Sequence, residues 1–290
     1  MERFHYCFAT DFLEFPAFEF AHPGLDAAAG SFARNLLRIQ SLGRLPVLLV
    51  GAATMLQTYE MLARFKLGIN GGDPAFLLGH PEFDKDRFAA KESLRKEMQM
   101  EWFKRAQAGE EANGMTVGEV ALGNMIPAGG DETAEGIEAI LMGMITGVWT
   151  SFEVLAEDVW NRAVLERPSL EAQITDKEWK SSGFRSTKKL RHLYGYIFRT
   201  DETEIFNVLN DDRIDALSLT RNIIVHTGGV IDGDFDGRRA TIQALDCFAA
   251  TPVNQKISLT GPIVLHLLKP MTLLGLQLVK SVDSWLSSHP

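Results

Sequence analysis

The apolar residues of this chain recur at helical spacing over most of its length. The clearest case is Ile145, Trp149, Phe152, Ala156, Val159 and Ala163, whose steps of three and four predict a long helix with one face in a core. Asp131 fits the N-cap of that helix, and Glu132, Glu135 and Glu138 place negative charge where the helix dipole favours it. Arg167-Pro168 predicts its end. Further helices are expected at about 26–42, 47–67, 84–108, 186–198, 202–210, 212–227 and 262–287, the last opening with proline just inside its start. Asn70-Gly71-Gly72-Asp73-Pro74 is a strong breaker. Residues 109–131 are glycine-rich, and Pro127-Ala128-Gly129-Gly130 predicts a linker there. Two short strands, a hairpin at 240–246 and 255–259, are the only β-structure expected. The aromatic-rich start, Phe4 to Phe20, yields no assignment. The pattern as a whole predicts an all-α protein, with an antiparallel helix bundle over residues 131–290 and a helical N-terminal region, 1–130, whose role the pattern does not indicate.

Composition narrows the class. With 46% apolar and 23% charged residues over 290 positions, this is a folding, globular sequence. Cys7 and Cys247 are too few for a disulfide framework or a cysteine-based zinc site, and they suggest a reducing compartment. The first residues lack the apolar core of a signal peptide. The longest apolar run, Leu45 to Leu56, is too short to span a bilayer and is expected to be a buried helix. A cytoplasmic protein with no membrane partner is therefore expected. The net charge of −9 repels nucleic acid, so any RNA contact must use a local basic patch. Lys177, Lys180, Arg185, Lys188, Lys189, Arg191 and Arg199 supply one, opposed only by Glu178. Lys188, Lys189 and Arg191 are its candidate RNA-binding residues; a solvated helix face explains the same pattern.

One stretch carries more chemistry than the rest: Arg221-Asn222-Ile223-Ile224-Val225-His226-Thr227-Gly228-Gly229. It offers a fixed cation, an amide and a group that titrates near neutrality. A surface arginine and a histidine suited to a helix C-terminus fit the same spacing, and Arg185 with His192 repeats it loosely. Only Arg221 and His226 share one predicted helix and border an aliphatic run. A five-residue step turns about 140° on a straight helix, so the two do not share a face, whereas Asn222 and His226 do. The set therefore needs a neighbouring helix or a second subunit to close it.

The stretch resembles the Arg-x(4–6)-His signature of the HEPN superfamily, including the polar residue after the arginine. The likeness extends over about 136–290, with Trp149-Thr150-Ser151-Phe152-Glu153 on a long upstream helix and a closing C-terminal helix. It implies an all-α bundle that pairs as a homodimer and a metal-independent endoribonuclease of toxin–antitoxin, phage-defence or stress-response type. It also implies roles: His226 as general acid/base for a ribose 2′-OH, Arg221 stabilising the phosphorane, and Asn222 orienting one or the other. An antitoxin or another protein partner accompanies many such domains. The alternative is a non-catalytic HEPN-like module that binds a partner protein or nucleotide.

The remaining constellations are weaker. Glu153 borders the apolar stripe and is a supporting candidate that would pair with Arg221; an ordinary boundary carboxylate fits equally. Asp232-Gly233-Asp234-Phe235-Asp236-Gly237 matches the first half of a calcium loop, but Gln243 stands where the bidentate Glu belongs, so an acidic turn is expected. His5, His22, His80, His192, His266 and His289 lack metal-ligand spacing and are expected to be surface or core residues. No phosphate-binding loop, nucleophile elbow or metalloprotease motif occurs, and neither metal nor cofactor is expected.

Overall fold

A computed structural model describes residues 11–66, 81–108, 114–173, 184, 186–198 and 203–289. The protein is all-α. Its helices are α1 (Pro23–Lys66), α2 (Pro81–Gln107), α3 (Gly114–Glu166), α4 (Thr187–Phe198), α5 (Thr203–Leu209), α6 (Asp212–Thr227), α7 (Gly233–Arg239) and α8 (Gly261–Ser288), with short 3-10 turns at Pro168–Gln173 and Gln243–Phe248. The chain divides into two compact units, residues 44–133 with the first five, and residues 6–43 with 134–290.

The larger unit is a bundle around one core. The predicted stripe of α3 lies in it: Ile145, Phe152, Ala156, Val159 and Ala163 are inaccessible to solvent and Trp149 nearly so. Leu25, Phe32 and Leu36 of α1, Leu193 and Tyr194 of α4, Ile214 and Leu217 of α6, and Leu268, Met271, Val279 and Val282 of α8 complete the core. The Tyr194 hydroxyl donates to the Ala156 carbonyl at 2.8 Å, and full burial pushes its ionisation far above the usual tyrosine range. Where α8 meets α1, Gly275 is required, because a Cβ there would overlap the Phe32 ring and lie 3.0 Å from Leu155 Cδ2.

The N-terminal segment is tied to α8 by one buried carboxylate. Asp283, 1% exposed, accepts the Ala21 N–H at 3.0 Å on both oxygens, the His22 N–H at 3.0 Å and His22 Nδ1 at 2.9 Å. Lys280 Nζ lies 3.3 Å away. Burial pushes the carboxyl up, but the donors of Ala21, His22 and Lys280 outweigh it and hold it below the usual carboxylate range.

Several expectations need correction. The break between 42 and 47 does not occur: α1 is one 44-residue helix running through Pro46, which removes a backbone hydrogen bond without ending the helix. The linker at 109–131 is largely α3, and Asp131 is interior to it, not its cap. Helix formers such as Glu119, Ala121 and Leu122 carry the period across the glycines. Gly118 answers to packing in the smaller unit, since a Cβ there would overlap the Val47 carbonyl. No strands form among the described residues: Gln243–Phe248 is a 3-10 turn, and 255–259 contributes a single antiparallel bridge, Val230 with Lys256. The breaker at 70–74 lies outside the described residues.

The apolar run at 45–56 is only partly buried: Val47 is inaccessible to solvent, but the leucines are not. Leu45, Leu48, Leu49 and Leu56 are between 39% and 61% exposed. The partner helix α2 is charged at nearly half of its positions, and among its described side chains Trp102 and Phe103 meet Leu48, Met55 and Tyr59 around a small apolar groove. Among the described residues three helical segments, Pro23–Leu62, Thr133–Glu166 and Gly261–Ser288, are long and apolar enough to cross a membrane by length and composition alone. Their most apolar windows differ in burial, 22%, 50% and 56% respectively. The second and third are therefore substantially engaged in the bundle core, and the first much less so.

Candidate functional site

Helix α6 carries the Arg221–His226 stretch, and its ends are well specified. Asp211 caps it in extended conformation and accepts the Arg213 N–H at 3.0 Å. The Arg213 side chain also binds this carboxylate, and the two interactions hold Asp211 below its usual range against the opposing effect of burial. At the other end Gly228 and Gly229 have φ of 65° and 88°, values that side chains disfavour. Gly229 N–H closes the helix on the Ile223 carbonyl at 2.9 Å, as a left-handed C-cap does. The chain beyond is clipped by Ile257 N–H to Gly229 O at 2.9 Å and Ile231 N–H to Gln255 O at 3.0 Å.

Within this frame the candidates separate by environment. Ile223 is buried, Arg221 and Asn222 are half-buried, and His226 is exposed in the last turn beside a 49%-exposed Val225. Arg221 Nη1 donates to Asn222 Oδ1 at 3.1 Å, while Arg221 Nε is buried with no hydrogen-bond partner. Arg221 and Asn222 thus form a unit. His226 is hydrogen-bonded to neither of them among the described residues. Glu153 is half-buried on α3. The hydrogen bond of Arg221 goes to Asn222.

The basic patch is partly structural. Arg191 of α4 places both Nη atoms on Asp215 of α6, at 3.2 and 2.9 Å, and its Nε on the Leu209 carbonyl at 2.7 Å. Its planar fork is therefore occupied in joining two helices. Lys188 is exposed and Lys189 half-buried. Lys177, Lys180, Arg185 and Arg199 lie outside the described residues.

Asp232–Gly237, expected as an acidic turn, begins α7 instead: Asp232 caps it by accepting the Phe235 N–H at 2.8 Å. Among the described residues no cluster of His, Cys, Asp and Glu has the makings of a metal site. Cys247 is held mostly as the thiol, because burial raises it to about 11.

Two residues that sequence reasoning passed over come together. His22, expected as an unremarkable histidine, has its ring fixed by Asp283, and it lines an open cleft with Arg167 of the α3 terminus. The sequence signal was faint: His22-Pro23 and Arg167-Pro168 each flank a helix end, but nothing in the chain pairs them. Comparison with protein-family models, curated proteins and solved structures finds no match for this chain.

Proposed function

We propose that this chain is a HEPN-like, metal-independent endoribonuclease that works as a homodimer, in a defence or stress-response setting. The observation that carries the reading is Arg221: a half-buried guanidinium, steadied by Asn222, with one nitrogen desolvated and unpaired, a turn away from an exposed His226. The Nη2 donors of this half-buried guanidinium have no protein partner among the described residues, and a phosphodiester oxygen suits their geometry.

In the reaction, His226 takes the proton of a ribose 2′-OH. The 2′-oxygen bonds to the adjacent phosphorus, Arg221 offsets the charge on the phosphorane, and the phosphorus–5′-oxygen bond breaks. The leaving oxygen takes up a proton, giving a 2′,3′-cyclic phosphate and a 5′-hydroxyl. Because Arg221 and His226 point about 140° apart on one helix, a second α6 supplies the complementary group across a two-fold axis.

The test is cleavage of mixed RNAs with EDTA present, with end-group mapping. Wild type is expected to leave cyclic phosphates, and His226→Ala and Arg221→Ala to lower the rate about 100-fold or more, the usual contribution of an acid/base or charge-stabilising group. Intact RNA with wild type, or cleavage only after metal is added, overturns the reading.

A further inference from the structure

Outside α6, the larger unit holds a second polar site, an open cleft of about 600 Å³. It is lined by His22, Glu166, Arg167, Pro168, Ser169 and Leu286. Its volume falls within the range of small-molecule sites.

The groups in it are pre-positioned. Asp283 is 1% exposed and ionised, hence acceptor-only, so His22 Nδ1 carries the hydrogen of their 2.9 Å contact and Nε2 is the nitrogen left for a ligand. Arg167 is held at two points: Nη2 donates to the Leu286 carbonyl at 2.6 Å, and the guanidinium lies 5.1 Å from the centre of the Trp285 ring. Nε and Nη1 of Arg167 keep their donors for something else; no protein group takes them among the described residues. The Ser169 hydroxyl adds a donor and Glu166 an acceptor, both on exposed residues.

We infer that this cleft binds a small phosphate monoester bearing hydroxyl groups, its phosphate on Arg167 and Ser169 and its hydroxyls on His22 Nε2 and Glu166. Arg167 and the Ser169 hydroxyl offer donors to phosphate oxygens, an arginine fork matching them as a lysine would not, while His22 Nε2, an acceptor once Nδ1 holds the hydrogen, joins Glu166 in accepting from ligand hydroxyls. The single carboxylate opposes a bare anion but accepts from a sugar-like hydroxyl. The walls offer only Leu286 and Pro168 as apolar surface, too little for a large hydrophobic ligand.

The experiment is calorimetric titration of the full-length protein with ribose 5-phosphate, inorganic phosphate and ribose. Ribose 5-phosphate is expected to bind most tightly, inorganic phosphate more weakly and ribose not measurably. His22→Asn keeps a donor for Asp283 but deletes Nε2, and Arg167→Lys keeps charge but deletes the fork. Arg167→Lys is expected to weaken ribose 5-phosphate about tenfold or more, the worth of one charge-assisted hydrogen bond, and His22→Asn several-fold, the worth of one neutral hydrogen bond, with the helical circular dichroism of both proteins unchanged. Glu166→Gln is expected to shrink the advantage of ribose 5-phosphate over phosphate. Absence of binding to the wild type, equal binding of ribose, or unchanged affinity in a folded His22→Asn protein overturns the proposal. None of these outcomes depends on RNA cleavage.

Discussion

Replacing Asp283 by alanine removes a carboxylate from the centre of three backbone and ring contacts. In the folded protein it accepts the N–H groups of Ala21 and His22 and the His22 ring, all between 2.9 and 3.0 Å, and it is 1% exposed. Taking one partner from a buried charged cluster costs about 3–5 kcal/mol. Here the lower end applies, because the His22 side chain is 23% exposed and water recovers part of the loss. About 3 kcal/mol corresponds to a melting temperature roughly 6–12 °C lower for a unit of this size. Asp283→Asn retains one acceptor but turns an amide NH₂ toward N–H donors, and about 2 kcal/mol is expected. Thermal unfolding followed by circular dichroism at neutral pH reads both. A double-mutant cycle with His22→Ala isolates the ring contact, for which a coupling of about 1.5–3 kcal/mol is expected. An Asp283→Ala protein melting within about 2 °C of wild type, or a cycle that is additive, refutes the idea that this carboxylate holds the N-terminal segment.

Gly275→Ala drives a Cβ into the fully buried Phe32 ring, and a loss of about 1–3 kcal/mol is expected in the same melts. Gly228→Ala meets no neighbouring atom but places a side chain at φ 65°, so about 1 kcal/mol is lost through backbone strain alone. The carboxyls of Asp211 and Asp283 titrate lower in the folded than in the unfolded chain. The stability they contribute is therefore full above the unfolded carboxylate range near ~3.9 and is lost as pH falls through their lower folded values. Urea unfolding at pH 6 and at pH 3 checks this, with the midpoint expected to fall in acid and Asp283→Ala to flatten the change.

The bundle was legible where one helix face decides it. The stripe from Ile145 to Ala163 lies in the core residue for residue, and α4, α5 and α6 fall within a residue or two of their expected ends. The glycines of α3 were misleading because two opposite demands look alike in sequence. A linker needs glycine for freedom, whereas Gly118 is needed where a neighbouring carbonyl crosses closely. The run at 45–56 misled for a different reason: apolar sequence records what a helix would bury, not whether a partner is there to cover it. In α6 the pattern placed Asn222 on the face of His226, whereas the amide oxygen of Asn222 accepts from Arg221, a contact between sequence neighbours that helical spacing does not signal. The Asp283–His22 contact was beyond any local pattern, since it joins positions 261 apart.

That separation also sets an order of events during synthesis. Residues 6–43 belong to a unit whose last helix ends at Ser288, and Ala21 finds its carboxylate 262 positions later. At about 5–20 residues per second, a ribosome needs roughly 13–50 s to deliver Asp283 after Ala21. For that interval Phe12, Leu25, Phe32 and Leu36, which share one core with the α8 residues, await a surface that has not yet been made.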